Sequence, residues 1–203
     1  MHDCLNAKQV EIRIVNLTKL LCVIFTAALF IPAVASGEEI HVRNGFWGGI
    51  DAGAGYLKQS FEERNEDDAY FFMGFKGGYT INPHFLLGVE LSGWLLEAGD
   101  PSDPNKGKGL MQALVITRLY PFKDSGLFAK AGGGYVSNWS NRSDEPNRKN
   151  GWGFTLGGGY DITLDGFLPD LDIALSPFAT FSYGNTGNWD YRAVTVGIGF
   201  TFH

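Results

Sequence analysis

The chain has 203 residues, 44% of them hydrophobic and 19% charged, with 28 glycines, 14% aromatic residues and a formal net charge of -6. That length accommodates one domain or a small pair. The acidic balance supplies no basic stripe to meet phosphates, which argues against nucleic acid as a partner, and past residue 35 no segment offers the ~20 consecutive apolar residues of a spanning helix.

The first element in chain order is a leader. Lys19 precedes an apolar run over 20–35, which Pro32 and the small-x-small sequence Ala33-Val34-Ala35 close. This is the pattern of a cleaved secretory signal peptide, so 1–35 is expected to be removed and Ser36 to begin the mature chain. The run is too short for a membrane anchor. The stretch before it is long for an n-region, and Val15 is an alternative first residue. Cys4 and Cys22 both fall in the removed part. Lys19-Leu20-Leu21 before Cys22 does not fit a lipoprotein processing site, so neither disulfide nor thiol chemistry is expected.

From Ser36 the chain alternates Gly- and aromatic-rich stretches with polar ones, and the former show the period of two that marks strands. Eight strands are predicted, at 45–57, 70–81, 85–96, 110–121, 127–138, 151–162, 172–183 and 191–202. Each slightly exceeds the ~9–11 residues a tilted strand needs to cross the hydrocarbon. In the third, Phe85, Leu87, Val89, Leu91, Gly93 and Leu95 share one face, while Gly88, Glu90, Ser92 and Trp94 share the other. The fourth is the least regular, because Leu114 and Ile116 fall on the face of Gln112 and Arg118.

The connections alternate in length. Long polar ones are expected at 58–69, 97–109, 139–150 and 184–190, with short ones at 82–84 and 122–126; only 163–171 breaks the pattern. Long loops on one side and short turns on the other characterise a membrane barrel whose termini lie in the periplasm. The fold class is therefore all-β, an eight-stranded antiparallel up-and-down transmembrane β-barrel, with 36–203 as a single outer-membrane domain.

Charges within the strands support this reading. Asp51, Lys76, Glu90, Arg118 and Lys130 fall on the face opposite the larger apolar side chains. A base facing lipid at the midplane costs ~2–4 kcal/mol, so all five are expected to point inward as a lumen charge network, joined by Asp161. Eight strands leave an interior that side chains fill, and unpaired charges there are costly. The sequence does not determine which charges are direct partners; Glu90 and Arg118, on adjacent strands, are the first pair to test. A packed polar core is preferred over a gate or ion path.

The last strand carries Val194, Val196, Ile198, Phe200 and Phe202 on one face, a pattern similar to the C-terminal signal read by the barrel assembly machinery. His203 departs from it by displacing Phe202 to the penultimate position. The stretches Gly126-Leu127-Phe128-Ala129-Lys130-Ala131-Gly132-Gly133-Gly134-Tyr135 and Gly45-Phe46-Trp47-Gly48-Gly49 resemble strand starts of the small outer-membrane β-barrel family that includes OmpA/OmpX-type and opacity-like surface proteins. The resemblance covers nearly all of 45–202. It implies a fold and an outer-membrane location; members include adhesins and surface-stability proteins.

A barrel lipid A hydrolase needs a serine, a histidine and an orienting acid near the outer rim. Thr180-Phe181-Ser182-Tyr183-Gly184-Asn185 supplies a serine, but His41, His84 and His203 all map to the periplasmic end. Ser182 is therefore read as a lumen hydroxyl. Glu62, Glu63, Glu66, Asp67 and Asp68 could gather a hard cation, though such runs are ordinarily solvated. The glycosylation-type sequences at Asn138 and Asn141 mean little in a bacterial outer membrane. Trp139, Trp152, Trp189, Tyr70 and Tyr191 are read as an outer aromatic girdle. No catalytic, metal or cofactor site is assigned. The expected partners are outer-membrane lipid and lipopolysaccharide, the assembly machinery, and a surface ligand met by the outer loops. The expected function is a non-enzymatic scaffold for adhesion or envelope interaction; the alternatives are a narrow porin-like channel and a lipid A-modifying enzyme.

Overall fold

A computed structural model describes residues 43–61, 65–97, 108–122, 125–140, 149–164, 172–186 and 189–203. The predicted leader, its cleavage site, His41, Glu62 and Glu63 lie outside them. The strands are β1 (Phe46–Phe61), β2 (Asn65–Asn82), β3 (Phe85–Glu97), β4 (Lys108–Leu119), β5 (Leu127–Ser140), β6 (Lys149–Tyr160), β7 (Ile162–Thr163), β8 (Ile173–Asn185) and β9 (Trp189–Phe202). All pairings are antiparallel, and pairing of β1 with β9 and of β6 with β8 closes the sheet. With β7 continuing β6, the ring has eight staves and no free edge, as a lipid environment demands.

Cross-strand partners followed once round the ring from Ile50 are Phe75, Leu91, Ala113, Tyr135, Trp152, Asn185 and Asp190. Asp190 then pairs with Ser60, ten residues further along β1. This stagger means that the strands are tilted and that hydrogen-bonded rungs climb steadily toward the outer end.

The interruption between β6 and β7 has a local cause. Leu164 N–H donates to the Ile173 carbonyl, so alternation along the ladder makes Tyr160 and Pro177 another hydrogen-bonding pair. Proline has no N–H to donate. The rungs at 160–177 and 161–176 are accordingly missing, while Gly159 still pairs with Phe178 and Ile162 with Leu175. On its other side Asp161 remains bonded, its N–H donating to the Gly126 carbonyl.

Alternation sets the two faces. Outward go Phe71, Met73, Phe75 and Tyr79 of β2, Leu87, Val89, Leu91 and Leu95 of β3, and Val194, Ile198, Phe200 and Phe202 of β9, all exposed to the lipid side. Inward go both the charges and a set of large apolar groups: Trp47, Leu57, Phe72, Leu86, Trp94, Leu110, Leu114, Ile116, Phe128 and Val136 are buried. The interior is thus layered and not simply polar, which corrects the expectation that its charges lie opposite the larger apolar side chains. Leu114 and Ile116 share a face with Gln112 and Arg118 because all four fill the lumen.

Two other expectations change. Most of the long first loop is strand, since the ladder continues through Tyr56–Ala69 and Lys58–Asp67 to Ser60–Asn65. Trp189 and Tyr191 belong to the core, not the girdle, because odd positions of β9 face inward; Tyr70 is partly buried against the same core cluster. Trp152 is exposed on the outer wall, and the Trp139 side chain lies outside the described set.

Candidate functional site in the barrel lumen

Asp51 of β1, Lys76 of β2, Glu90 of β3, Arg118 of β4 and Lys130 of β5 are all buried inside the ring, together with Asp161 just after β6. They form three ion pairs. Lys76 Nζ lies 2.5 Å from Asp51 Oδ1, Lys130 Nζ 2.7 Å from Glu90 Oε2, and Arg118 Nη1 3.5 Å from Asp161 Oδ2. Glu90 and Arg118 are not paired. Strand tilt is the reason: the rung partner of Glu90 on β4 is Leu114, and Arg118 lies four residues further toward the periplasmic end. Climbing rungs bring Lys130, two staves away, level with Glu90.

Hydrogen bonds engage much of what the ion pairs leave over, although Arg118 Nε is buried without a partner. Ser92 Oγ donates to Glu90 at 3.0 Å, Gln112 Nε2 to Ser92 Oγ at 2.9 Å, and Tyr191 OH to Gln112 Oε1 at 3.1 Å. This chain runs across the lumen from β3 through β4 to β9. Asp161 accepts from Tyr120 OH at 2.5 Å and from Ser176 Oγ at 2.6 Å. The Arg118 guanidinium also donates to Tyr120 OH at 3.2 Å and sits 4.0 Å over the Phe128 ring. Each of these six charges thus has an opposite partner, the condition for tolerating it at low dielectric.

Above the charges, aromatic side chains cross the bore. Phe72 packs on Trp94 at 5.4 Å and on Phe178 at 6.1 Å; Trp94 packs on Tyr191 at 5.8 Å, and Tyr191 on Trp189 at 5.6 Å. The Trp94 indole N–H donates to Thr195 Oγ1 at 3.2 Å, tying β3 to β9. Gly55 is required beside it, because any Cβ there would collide with the indole. Ser182 Oγ donates to Thr155 Oγ1 at 3.2 Å. His84, in the β2–β3 turn, and His203, after β9, are at the other end of the barrel, so the geometry brings no described histidine to that serine.

Residues 21–202 match the family model described as outer membrane protein beta-barrel domain. The chain belongs to this family. This places the barrel in the bacterial outer membrane. Among solved structures it is similar to Neisserial surface protein A, with 16% identity and a TM-score of 0.48 over 77% of this chain and 96% of that one. It is also similar to Ail, the attachment invasion locus protein of Yersinia pestis (12% identity, TM-score 0.46, 78% and 99% covered). A third is the N-terminal β-barrel domain of Pseudomonas aeruginosa OprF (14%, 0.43, 78% and 99%). No curated protein sequence matches the chain.

In this outer-membrane barrel the outward row of β9, comprising Val194, Val196, Ile198, Phe200 and Phe202, is continuous on the lipid side. Of the acidic run near the outer end, the described side chains are Asp67 and Asp68. Asp67 and Asp68 are successive strand residues on opposite faces, and Asp67 accepts a hydrogen bond from Tyr56 OH. Among the described residues no three His, Cys, Asp or Glu side chains group to hold a metal.

Sequence reasoning missed the periplasmic mouth. Arg43, before β1, donates from Nη2 to the Ser125 carbonyl at 3.1 Å and lies 3.6 Å over the Tyr120 ring. With Asp161, Asp172 and His203 it lines a cavity of about 20 Å³, room for one water. The spacing of Arg118 and Tyr120 puts them on one face and was the available signal; nothing local marks Arg43.

Burial pushes the His203 imidazole down to about 4, against the opposing pull of Asp161. The unfolded chain takes that proton near 6.5, so between those values the unfolded state binds more protons and stability falls as pH falls. His203→Gln is therefore expected to flatten the loss between about pH 6.5 and 4, by on the order of 2 kcal/mol. Urea midpoints measured at stepped pH check this; parallel curves for both proteins would refute it.

Proposed function

We propose that this protein is a closed, non-enzymatic scaffold of the outer membrane whose rigid wall presents its outer connections for adhesion or envelope interaction. The observation that carries this reading is the filled bore. The Phe72–Trp94–Tyr191–Trp189 stack across the bore and the three neutralised ion pairs beneath it support a closed barrel over a conducting path. Outer connections held by such a wall are where recognition concentrates. The pairing of Ser182 with a threonine in place of a base supports a structural hydroxyl over a nucleophile.

The full-length barrel inserted in planar bilayers is expected to give no stable conductance steps, and its presence is expected to leave the mass spectrum of lipid A unchanged. Regular single-channel steps would favour a narrow channel. Loss of an acyl chain from lipid A, abolished by Ser182→Ala, would favour an enzyme. The purified barrel is then the probe for a surface ligand, by capture of intact cells or matrix components.

A further inference from the structure

The chain enters β1 through a bend that suits only glycine. Gly45 has φ +75°, the one positive φ among the described residues, and residues that carry a side chain adopt that conformation at a cost. Crowding is not the reason for glycine, because a Cβ built there would meet no atom within 4 Å. The bend falls at the end of the wall: the Gly45 carbonyl still accepts from Thr80 N–H at 2.9 Å, whereas Arg43 and Asn44 belong to neither ladder of β1.

From this bend Arg43 reaches the far side of the ring. Its Nη2 donates to the Ser125 carbonyl at 3.1 Å, and its guanidinium lies 3.6 Å over the Tyr120 ring. Tyr120 follows β4 and Ser125 precedes β5, and β5 is four staves from β1 in a ring of eight. Two extended residues advance the backbone only ~7 Å, so a long side chain completes the crossing. The same side chain walls the small cavity at the mouth together with Thr163, Ile173 and His203. Arg43 is buried and Asn44 beside it is exposed, so the segment has a lumen face and a periplasmic face.

The groups that receive Arg43 are held in place by bonds of their own. Tyr120 N–H donates to the His84 carbonyl at 2.9 Å, and its hydroxyl donates to Asp161 at 2.5 Å. Ser125 Oγ accepts from Leu127 N–H at 3.2 Å, which fixes the turn before β5. A ring face and a carbonyl thus form a ready seat for a planar guanidinium, which stacks on the one and donates to the other.

We propose that Arg43, Asn44 and Gly45 form a strap across the periplasmic mouth, with Arg43 as its latch, and that the latch controls entry of water and small solutes into the lumen from that end. The Phe72–Trp94–Tyr191–Trp189 stack crosses the bore on the other side of the charge layer. The lumen ion pairs are therefore enclosed between a fixed aromatic layer and a strap held by two contacts. This inference is independent of the scaffold reading, which rests on the aromatic stack.

The test is the rate at which a small cationic methanethiosulfonate labels a reporter thiol in the full chain, carrying Cys4→Ser and Cys22→Ser, in detergent micelles. Thr80→Cys is the reporter at the mouth: Thr80 faces inward beside Gly45, is 4% exposed, and its hydroxyl has no described partner to lose. Ser182→Cys, on the inner face of β8 and 1% exposed, reports on the deeper lumen. Arg43→Ala and Gly45→Ala should each speed labelling at the mouth by on the order of ten-fold, the change in open population expected when a cation–π contact and a charge-assisted hydrogen bond are lost. Asn44→Ala should leave that rate unchanged, and the deeper reporter should stay unreactive in every strap variant. Equal labelling at the mouth with and without Arg43 would overturn the proposal. So would a parallel rise at the deeper reporter, which would make Arg43 a brace of the whole wall and not a latch.

Discussion

Glu90→Gln should destabilise the barrel by about 3–5 kcal/mol, because it strands the Lys130 ammonium inside the lumen without a counter-charge. Glu90 is 1% exposed and Lys130 6%, so water cannot readily take over. The loss should be specific to its partner. Adding Lys130→Gln should restore most of the stability, since two neutral amides of similar size replace a buried ion pair at little net cost. Adding Arg118→Gln should deepen the loss, because that change orphans Asp161, which also holds Tyr120 and Ser176. Reversible urea unfolding of the purified protein in lipid vesicles gives all four values. Recovery with Arg118→Gln and none with Lys130→Gln would mean that the lumen pairs are differently connected.

Val89→Arg should cost about 2–4 kcal/mol in the same assay. Val89 is 59% exposed on the outer wall of β3, between Gly77 and Val115 on the neighbouring staves, with Leu87 and Leu91 along the strand. All of these lie within the apolar belt, so a guanidinium there would face hydrocarbon. Val89→Leu is the matched control and should change stability by less than about 1 kcal/mol, as hydrophobic swaps on an open face do. If the arginine variant unfolds at the wild-type urea concentration, the outer face of β3 is not in contact with lipid.

The fold was legible in the sequence because a barrel strand repeats its instruction at every second residue. Val89 and Leu91 against Glu90 and Ser92 state which way the strand faces, and no distant residue is needed to read them. The inward direction of the five charges followed from the same parity together with the cost of charge in lipid. Their pairing did not, since it depends on strand tilt, a property of the closed ring that no single strand contains. Glu90 reaches past its neighbouring stave to Lys130 for this reason. Trp189 and Tyr191 were misplaced because aromatic residues near a strand end suit a girdle and a plug equally well; only the register of β9 against β1 separates the two. The length of β1 and β2 was underestimated because Glu66, Asp67 and Asp68 have poor strand propensity, which pairing with Gln59, Lys58 and Leu57 overrides.

Pro177 gives the wall a polarity that its near-symmetric ring would otherwise lack. The ladders elsewhere are broken only by register shifts near the ends of β2 and β3 among the described residues, whereas here the Tyr160 carbonyl faces a nitrogen with nothing to give, one residue from buried Asp161. A sheet of hydrogen bonds, like any lattice, parts first where a bond is already missing. Transient opening of this barrel should therefore begin at one fixed point of its circumference, near the periplasmic end, and should run along the line between β6 and β8. Along that line lie Asp161, which pairs with Arg118, and Ser176, whose hydroxyl donates to Asp161. Backbone amides along that line are therefore expected to exchange with solvent hydrogen ahead of those in the rest of the wall.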